Sequence, residues 1–195
     1  GGWYDVEAGT NPGFLYQQNT MRDAMIAGTT LNIFNNHADR VRVANLAQTI
    51  NVLQAVILTK EEKMILTPTY HVMEMYKVHQ DALLLPVTIK SGDFISGNEK
   101  LPAVSASASK DKNGITHISI VNIDNKNLHD ISLDISGIVQ KSITGRILSS
   151  KNIQDHNTFE IPEKIKPTEF KQFSQTGNTI KIKLPPASVI VLELK

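Results

Sequence analysis

The side chains best equipped for chemistry stand at the start of this 195-residue chain, where Trp3, Tyr4, Asp5 and Glu7 share the stretch "GGWYDVEAGTNPG". Two acids beside aromatic rings are the equipment of glycoside hydrolysis, in which one carboxyl protonates the leaving oxygen while the other attacks or activates water. Solvated acids on a Gly/Pro/Asn-rich surface loop have the same composition, and Asp5 and Glu7 read better as such. Trp3, the single tryptophan, offers a flat ring for stacking on a sugar or an anchor for a core. The six histidines lack metal-ligand spacing: His71 and His79 lie eight apart rather than four, so a zinc helix is not indicated. His37 with Asp39 and Arg40 could orient a substrate, although polar contacts in a helix-to-strand loop explain them better. "GTNPG" lacks the lysine and the strand-to-helix context of a phosphate loop, and "SASAS" alternates like a strand face without a nucleophile elbow. Gln48 closes "RVRVANLAQ". It is a structural hydrogen bonder or, at the C-terminal end of a barrel strand, part of an active-site face.

An element must deliver the opening loop, yet none precedes it, and the chain reads as starting in mid-fold. Behind the loop, Thr20 serves as an N-cap with Asp23 three positions on. Met21, Ala24, Met25, Gly28 and Leu31 recur at helical spacing, which predicts a helix over residues 21–35. "NNHAD" breaks it, and "RVRVANLAQ" predicts a short strand. In "TPTYHVMEMYKVHQ", Thr67 caps and Pro68 opens a second helix, with Tyr70, Met73 and Tyr76 or Lys77 on one face. Helix, strand and helix is the rhythm of an α/β fold with parallel strands, but one strand makes no sheet. From Leu83 the period changes to two. "LLLPVTIKS", "AVSASASK", "THISIVNID", "DISLDIS", "SITGRILSS", "TIKIKL" and "SVIVLEL" predict an antiparallel sandwich. "KDKNG" reads as a hairpin turn, and residues 151–178 as a long loop.

Composition excludes several classes. Twenty basic against nineteen acidic residues, a net charge of +1, leave no electrostatic footprint for nucleic acid. No apolar run approaches the roughly 20 residues of a bilayer span. The absence of cysteine suits a reducing or an oxidising compartment, so cytoplasm and periplasm both stay open.

The run from "GGWYDVEAGTNPGFLYQQNT" through "HADRVRVANLAQTINVLQAVI" and "TPTYHVMEMYKVHQDA" closely resembles the C-terminal region of α-L-arabinofuranosidases of glycoside hydrolase family 51. The likeness is strong over about residues 1–82 and collinear to "PPASVIVLELK". It implies a jelly-roll-like β-sandwich, residues 82–195, preceded by the last elements of a (β/α)₈ barrel, residues 1–81. Residues 21–35 would be the seventh barrel helix, "VRVANLAQ" the eighth strand and "TPTYHVMEMYKVHQ" the eighth helix. The resemblance also implies removal of terminal arabinofuranose with retention by two glutamates, about 5–5.5 Å apart in such enzymes. The family's nucleophile lies in an Asp-Glu-Trp-Gly/Asn motif, and "GGWYDVE" matches the residues just after that tryptophan. Both glutamates are therefore expected upstream of residue 1, leaving this chain inactive by itself. Gln48 matches a glutamine that hydrogen-bonds the arabinose ring, and Trp3 an aromatic near the leaving-group side. No cofactor or metal is implied. The expected partners are an arabinofuranoside-containing oligosaccharide or polysaccharide, the rest of the barrel, and a second copy of the chain. The rival readings are a non-catalytic sugar-binding module and a purely structural domain. For residues 82–195 the structural one is preferred, because the strands are poor in aromatics.

Overall fold

The computed structural model describes residues 19–138 and 140–195; the opening loop with Trp3, Asp5 and Glu7 lies outside them. The first helix, α1, spans Met21–Asn36. Its start is capped from both directions. The Asp23 carboxylate accepts from the Thr20 amide at 2.9 Å and the Thr20 hydroxyl at 3.1 Å. The Met21 and Arg22 amides donate to the carbonyls of Asp155 and Ile153, so a distant loop satisfies donors that a helix start leaves open. A short hairpin comes next, β1 (Ile57–Lys60) with β2 (Lys63–Leu66), and then α2 (Pro68–Tyr76) with a 3₁₀ turn over Lys77–His79. The Thr67 hydroxyl caps α2 by accepting from the Tyr70 amide at 3.5 Å, and Pro68 occupies the first turn, where its missing N–H costs nothing.

The remaining strands are β3 (Leu83–Leu85), β4 (Asp93–Ser96), β5 (Glu99–Pro102), β6 (Val104–Lys110), β7 (Thr116–Asn122), β8 (His129–Asp134), β9 (Ile143–Ser149), β10 (Thr168–Glu169), β11 (Phe173–Thr176), β12 (Thr179–Leu184) and β13 (Ser188–Leu194). They build an antiparallel six-stranded sheet in the order β10-β9-β13-β7-β6-β3, a three-stranded sheet β11-β12-β8, and the separate hairpin β4-β5. All seven residues of β7 are buried, because each face of the large sheet is covered. Ile118 and Ile120 of β7 join Ile190, Leu192 and Leu194 of β13 in the core shared with Ile180, Ile182 and Leu184 of β12. Val121, Val189 and Val191 point the other way, onto Met21, Met25, Val72 and Met75 of the helices. Period-two alternation lets one strand serve both cores. Gly28 lets α1 come close: a Cβ there would lie 2.9 Å from Val121 Cγ2. Among the described residues no helix is long and apolar enough to cross a membrane.

The structure corrects several expectations. Residues 41–48 form no strand: beyond the bond of the Val41 amide back to His37, only the Gln48 carbonyl is tied by a main-chain hydrogen bond among the described residues, too little for a ladder. The strands before α2 fall instead in β1 and β2. The buried side of α2 carries Pro68, Thr69, Val72, Met75 and Tyr76; of the expected face Tyr76 is buried, Tyr70 and Met73 are half-buried, and Lys77 is exposed. The 151–178 stretch contains β10 and β11, and its loop is held by Asn157. That side chain donates to the Leu66 and Ile165 carbonyls and accepts from the Ile165 amide. "LLLPVTIKS" pairs only over Leu83–Leu85. In "KDKNG", Asp111 accepts from the amides of Asn113 and Ile115, and only Gly114 takes a positive φ, +83°.

Candidate functional site

A cleft of about 230 Å³ lies between α1, α2 and residues 44–48, and Gln48 lines it. Its apolar wall comes from Ile26 and Leu31 of α1 and Met73 of α2; Asn45, Gln48 and Thr69 supply polar groups. Gln48 is held through its main chain. Its carbonyl accepts from the Val56 amide at 3.3 Å, and the next carbonyl, Thr49, accepts from Ile57 at 3.0 Å. The two stretches run parallel, bridged at Ile50 and Ile57, and the chain loops between them through Asn51 and Gln54, both at positive φ, 51° and 57°. Asn51 steadies its end of the turn by accepting from the Thr59 amide and donating to the Thr59 hydroxyl, both at 2.7 Å.

A primary amide beside an apolar wall offers two donors and an acceptor, the complement of neighbouring sugar hydroxyls. Asp23 is the carboxylate that lines the cleft, and it is engaged in the α1 cap. The described lining of the cleft thus offers hydrogen-bonding groups and one carboxylate, already engaged, with no second carboxylate opposite it. Thr69 presents a hydroxyl oxygen that is buried and without a partner among the described residues. No group of three or more His, Asp or Glu side chains that could hold a metal ion occurs among the described residues. Trp3 lies outside those residues, so of the two expected sugar contacts the cleft shows Gln48 alone. His37, Asp39 and Arg40 sit in the turn after α1, away from any such lining role. His71 packs edge-on against Tyr70, with ring centroids 5.7 Å apart.

One polar cluster escaped the sequence reading. The serines of "SASAS" face the helices while the alanines face the inter-sheet core. Asn32 of α1 donates to Ser105 and accepts from Ser107 and from the Tyr76 hydroxyl. His79 sits with Nδ1 2.7 Å from Ser109 Oγ and Nε2 2.6 Å from Ser119 Oγ. Burial, reinforced by the neighbouring His117, pushes the His79 pKa down to about 4, so its ring is neutral at neutral pH. With a hydroxyl on each nitrogen and no carboxylate orienting the ring, this is a docking contact and not a catalytic triad. The signal available in the sequence was the serine alternation, set against His79 and Tyr76 on a helix end.

The family model described as the α-L-arabinofuranosidase C-terminal domain matches residues 1–188. An intracellular exo-α-L-arabinofuranosidase of Bacteroides ovatus is 45% identical over 196 residues, a match that takes in 100% of this chain and 38% of that protein. An intracellular exo-α-(1→5)-L-arabinofuranosidase of Bifidobacterium longum is 24% identical over 192 residues, covering 94% of the chain and 34% of the relative. The crystal structure of the family 51 arabinofuranosidase from Xanthomonas axonopodis pv. citri superposes with a TM-score of 0.92 at 42% identity. That superposition covers 99% of this chain and 39% of the other. The chain thus spans well under half the length of the relatives it matches.

Proposed function

Because the chain belongs to the α-L-arabinofuranosidase C-terminal domain family, we propose that it forms the C-terminal part of a retaining α-L-arabinofuranosidase. The enzyme removes terminal non-reducing α-L-arabinofuranosyl groups from arabinoxylan, arabinan or their oligosaccharides. In this reading residues 1–81 supply the last βα elements of the catalytic barrel and residues 82–195 the sandwich that supports them. The two carboxylates of the double displacement come from the remainder of the enzyme, and carboxylates with water suffice for that chemistry.

The observation that carries the reading is the exposed segment 41–48 that follows α1 and, with the β1–β2 hairpin, precedes α2. Residues 42–47 are exposed and make no main-chain hydrogen bond to another segment among the described residues, with Val43 at 72% and Leu46 at 44% exposure, as befits a strand whose neighbours belong to another part of the barrel. Gln48 at its end hydrogen-bonds the arabinose ring, and Trp3 stacks on the leaving-group side. Ile50, Val52 and Met64, all more than half exposed, extend the apolar surface that the rest of the barrel, or a second copy of the chain, covers. A sugar-binding module is disfavoured, since the outer face of β12 and β8 shows Lys181, Lys183, Asp130 and Ser132 instead of aromatic rings.

In the full-length enzyme, Gln48→Ala is expected to lower turnover of an aryl α-L-arabinofuranoside by the equivalent of about 1–3 kcal/mol while leaving thermal stability nearly intact. Unchanged turnover in the purified variant overturns the assignment of Gln48.

A further inference from the structure

Gln48 stands at the end of a segment with little hold on the molecule. After the Val41 amide, which donates to the His37 carbonyl, the next main-chain groups of the segment tied by hydrogen bonds among the described residues are the carbonyls of Gln48 and Thr49. Both ties run to Val56 and Ile57, so the position of Gln48 is inherited from the turn at residues 51–56. That turn is an awkward one for side-chain-bearing residues. Asn51 and Gln54 both adopt left-handed backbone angles, and such a conformation persists only when its surroundings hold it. Asn51 has its own bracket to Thr59.

At the other end of the turn stands Asn19, 4% exposed and just ahead of α1. Its amide nitrogen donates to two consecutive carbonyls, Gln54 at 2.8 Å and Ala55 at 3.1 Å. The next residue is Val56, whose amide holds Gln48. From the far side, Val56 is gripped by α2, its carbonyl accepting from the Thr67 amide at 3.0 Å and the Thr67 hydroxyl at 2.9 Å. Asn19, through the Ala55 carbonyl, and Thr67, through the Val56 carbonyl, therefore hold the peptides on either side of the Val56 amide that bonds Gln48, and each belongs to the cap region of a helix that packs on the large sheet. We infer that Asn19 is a positioning residue for Gln48: by clamping the 54–55 carbonyls it sets where the Gln48 amide meets the sugar.

This inference rests on the proposed sugar contact of Gln48, and a double-mutant cycle separates the two. In the full-length enzyme, with rates normalised to titrated active sites, Asn19→Ala is expected to lower kcat about tenfold for an aryl α-L-arabinofuranoside. KM should change less than kcat, and the pH profile should keep its shape, since no catalytic proton is moved. In a Gln48→Ala background the same substitution should cost less than about twofold, because the group it positions is gone. Should Asn19→Ala not fold, Thr67→Val, which removes the hydroxyl bond to Val56, must give the same signature. A damaged Gln48→Ala enzyme in which the Asn19 or Thr67 effect multiplies in full overturns the inference alone, and so does an unchanged kcat in Asn19→Ala. Full activity of Gln48→Ala overturns the sugar contact and, with it, the inference.

Discussion

The two faces of the six-stranded sheet are packed by different rules. Toward the three-stranded sheet the contact is apolar throughout, Ile118, Ile120, Ile190 and Leu192 against Ile180, Ile182 and Leu184. Toward the helices it is divided. Methionines and valines meet around Met21, Met25, Met75 and Val189, while the neighbouring region joins Asn32, Tyr76 and His79 to the serines of β6 and β7. Apolar burial is strong but non-directional, and it tolerates sliding. Hydrogen bonds between buried groups fix a register, since a displaced partner leaves an unsatisfied atom behind. A sandwich interior needs only to cohere. The helical face must also hold α1 and α2 at one particular setting, because the cleft and the cap residues beside Gln48 depend on it.

The largest effect should come from the coherent face. Leu192, fully buried, loses both its transfer energy and its packing on truncation, so Leu192→Ala is expected to destabilise by about 3 kcal/mol in urea titration. Activity per folded molecule should stay unchanged, because nothing in that core touches the cleft; a selective loss of kcat would break the comparison. On the helical face, Asn32→Ala takes the donor from Ser105 and one acceptor from each of the Tyr76 and Ser107 hydroxyls, and should cost about 2 kcal/mol. Its signature is coupling. Added to Asn32→Ala, Tyr76→Phe should cost much less than it does alone, because the hydroxyl it removes has already lost its acceptor. Additive effects would mean that the polar bonds are incidental.

The sandwich was legible because its signal is local. Period-two runs predicted β6, β7, β9, β12 and β13 to within a residue or two, and the caps at Thr20 with Asp23 and at Thr67 with Pro68 stand where the sequence suggests them. What escaped depends on partners far along the chain. Residues 41–48 have strand-like composition, but pairing is a property of two segments and no sequence window contains both. The β4-β5 hairpin, turning at Gly97 with φ +61°, carries exposed Ile95 and Leu101 and lacks the clean alternation of a half-buried strand. The serines of "SASAS" showed that one face of the strand would be polar, though not that a helix would satisfy it. The cleft was legible only through Gln48, and that through family resemblance. Asn19 gave no signal, since its acceptors lie 35 and 36 residues downstream.

The finest difference between the faces is electrostatic. Between the sheets the side chains packed together are aliphatic and aromatic, whereas the helical face holds His79, and near it His117 with Asp111 at 3.4 Å and Glu193 at 3.7 Å. Folding lowers the His79 pKa from 6.5 to about 4, with burial the larger cause and His117 the smaller. Between those values the unfolded chain binds a proton that the folded chain refuses, so stability rises with pH across this window and is lost as pH falls from about 6.5 toward 4. Asp111 is held below its ordinary carboxylate pKa by the amides of Ile115 and Asn113 and by His117, which overcome its desolvation, so its own proton uptake belongs to the acid end of the range. Burial also holds His71 below its ordinary value, which gives a slope of the same sign, so the share of His79 is the difference between the wild-type and variant denaturation midpoints from pH 6.5 to 5. His79→Gln, which keeps a side chain able to donate and accept, should lower stability modestly at pH 7 and flatten the slope between pH 6.5 and 5. A variant that keeps the full acid slope in that window would assign the pH sensitivity to other groups and leave His79 as a neutral hydrogen bonder without electrostatic consequence.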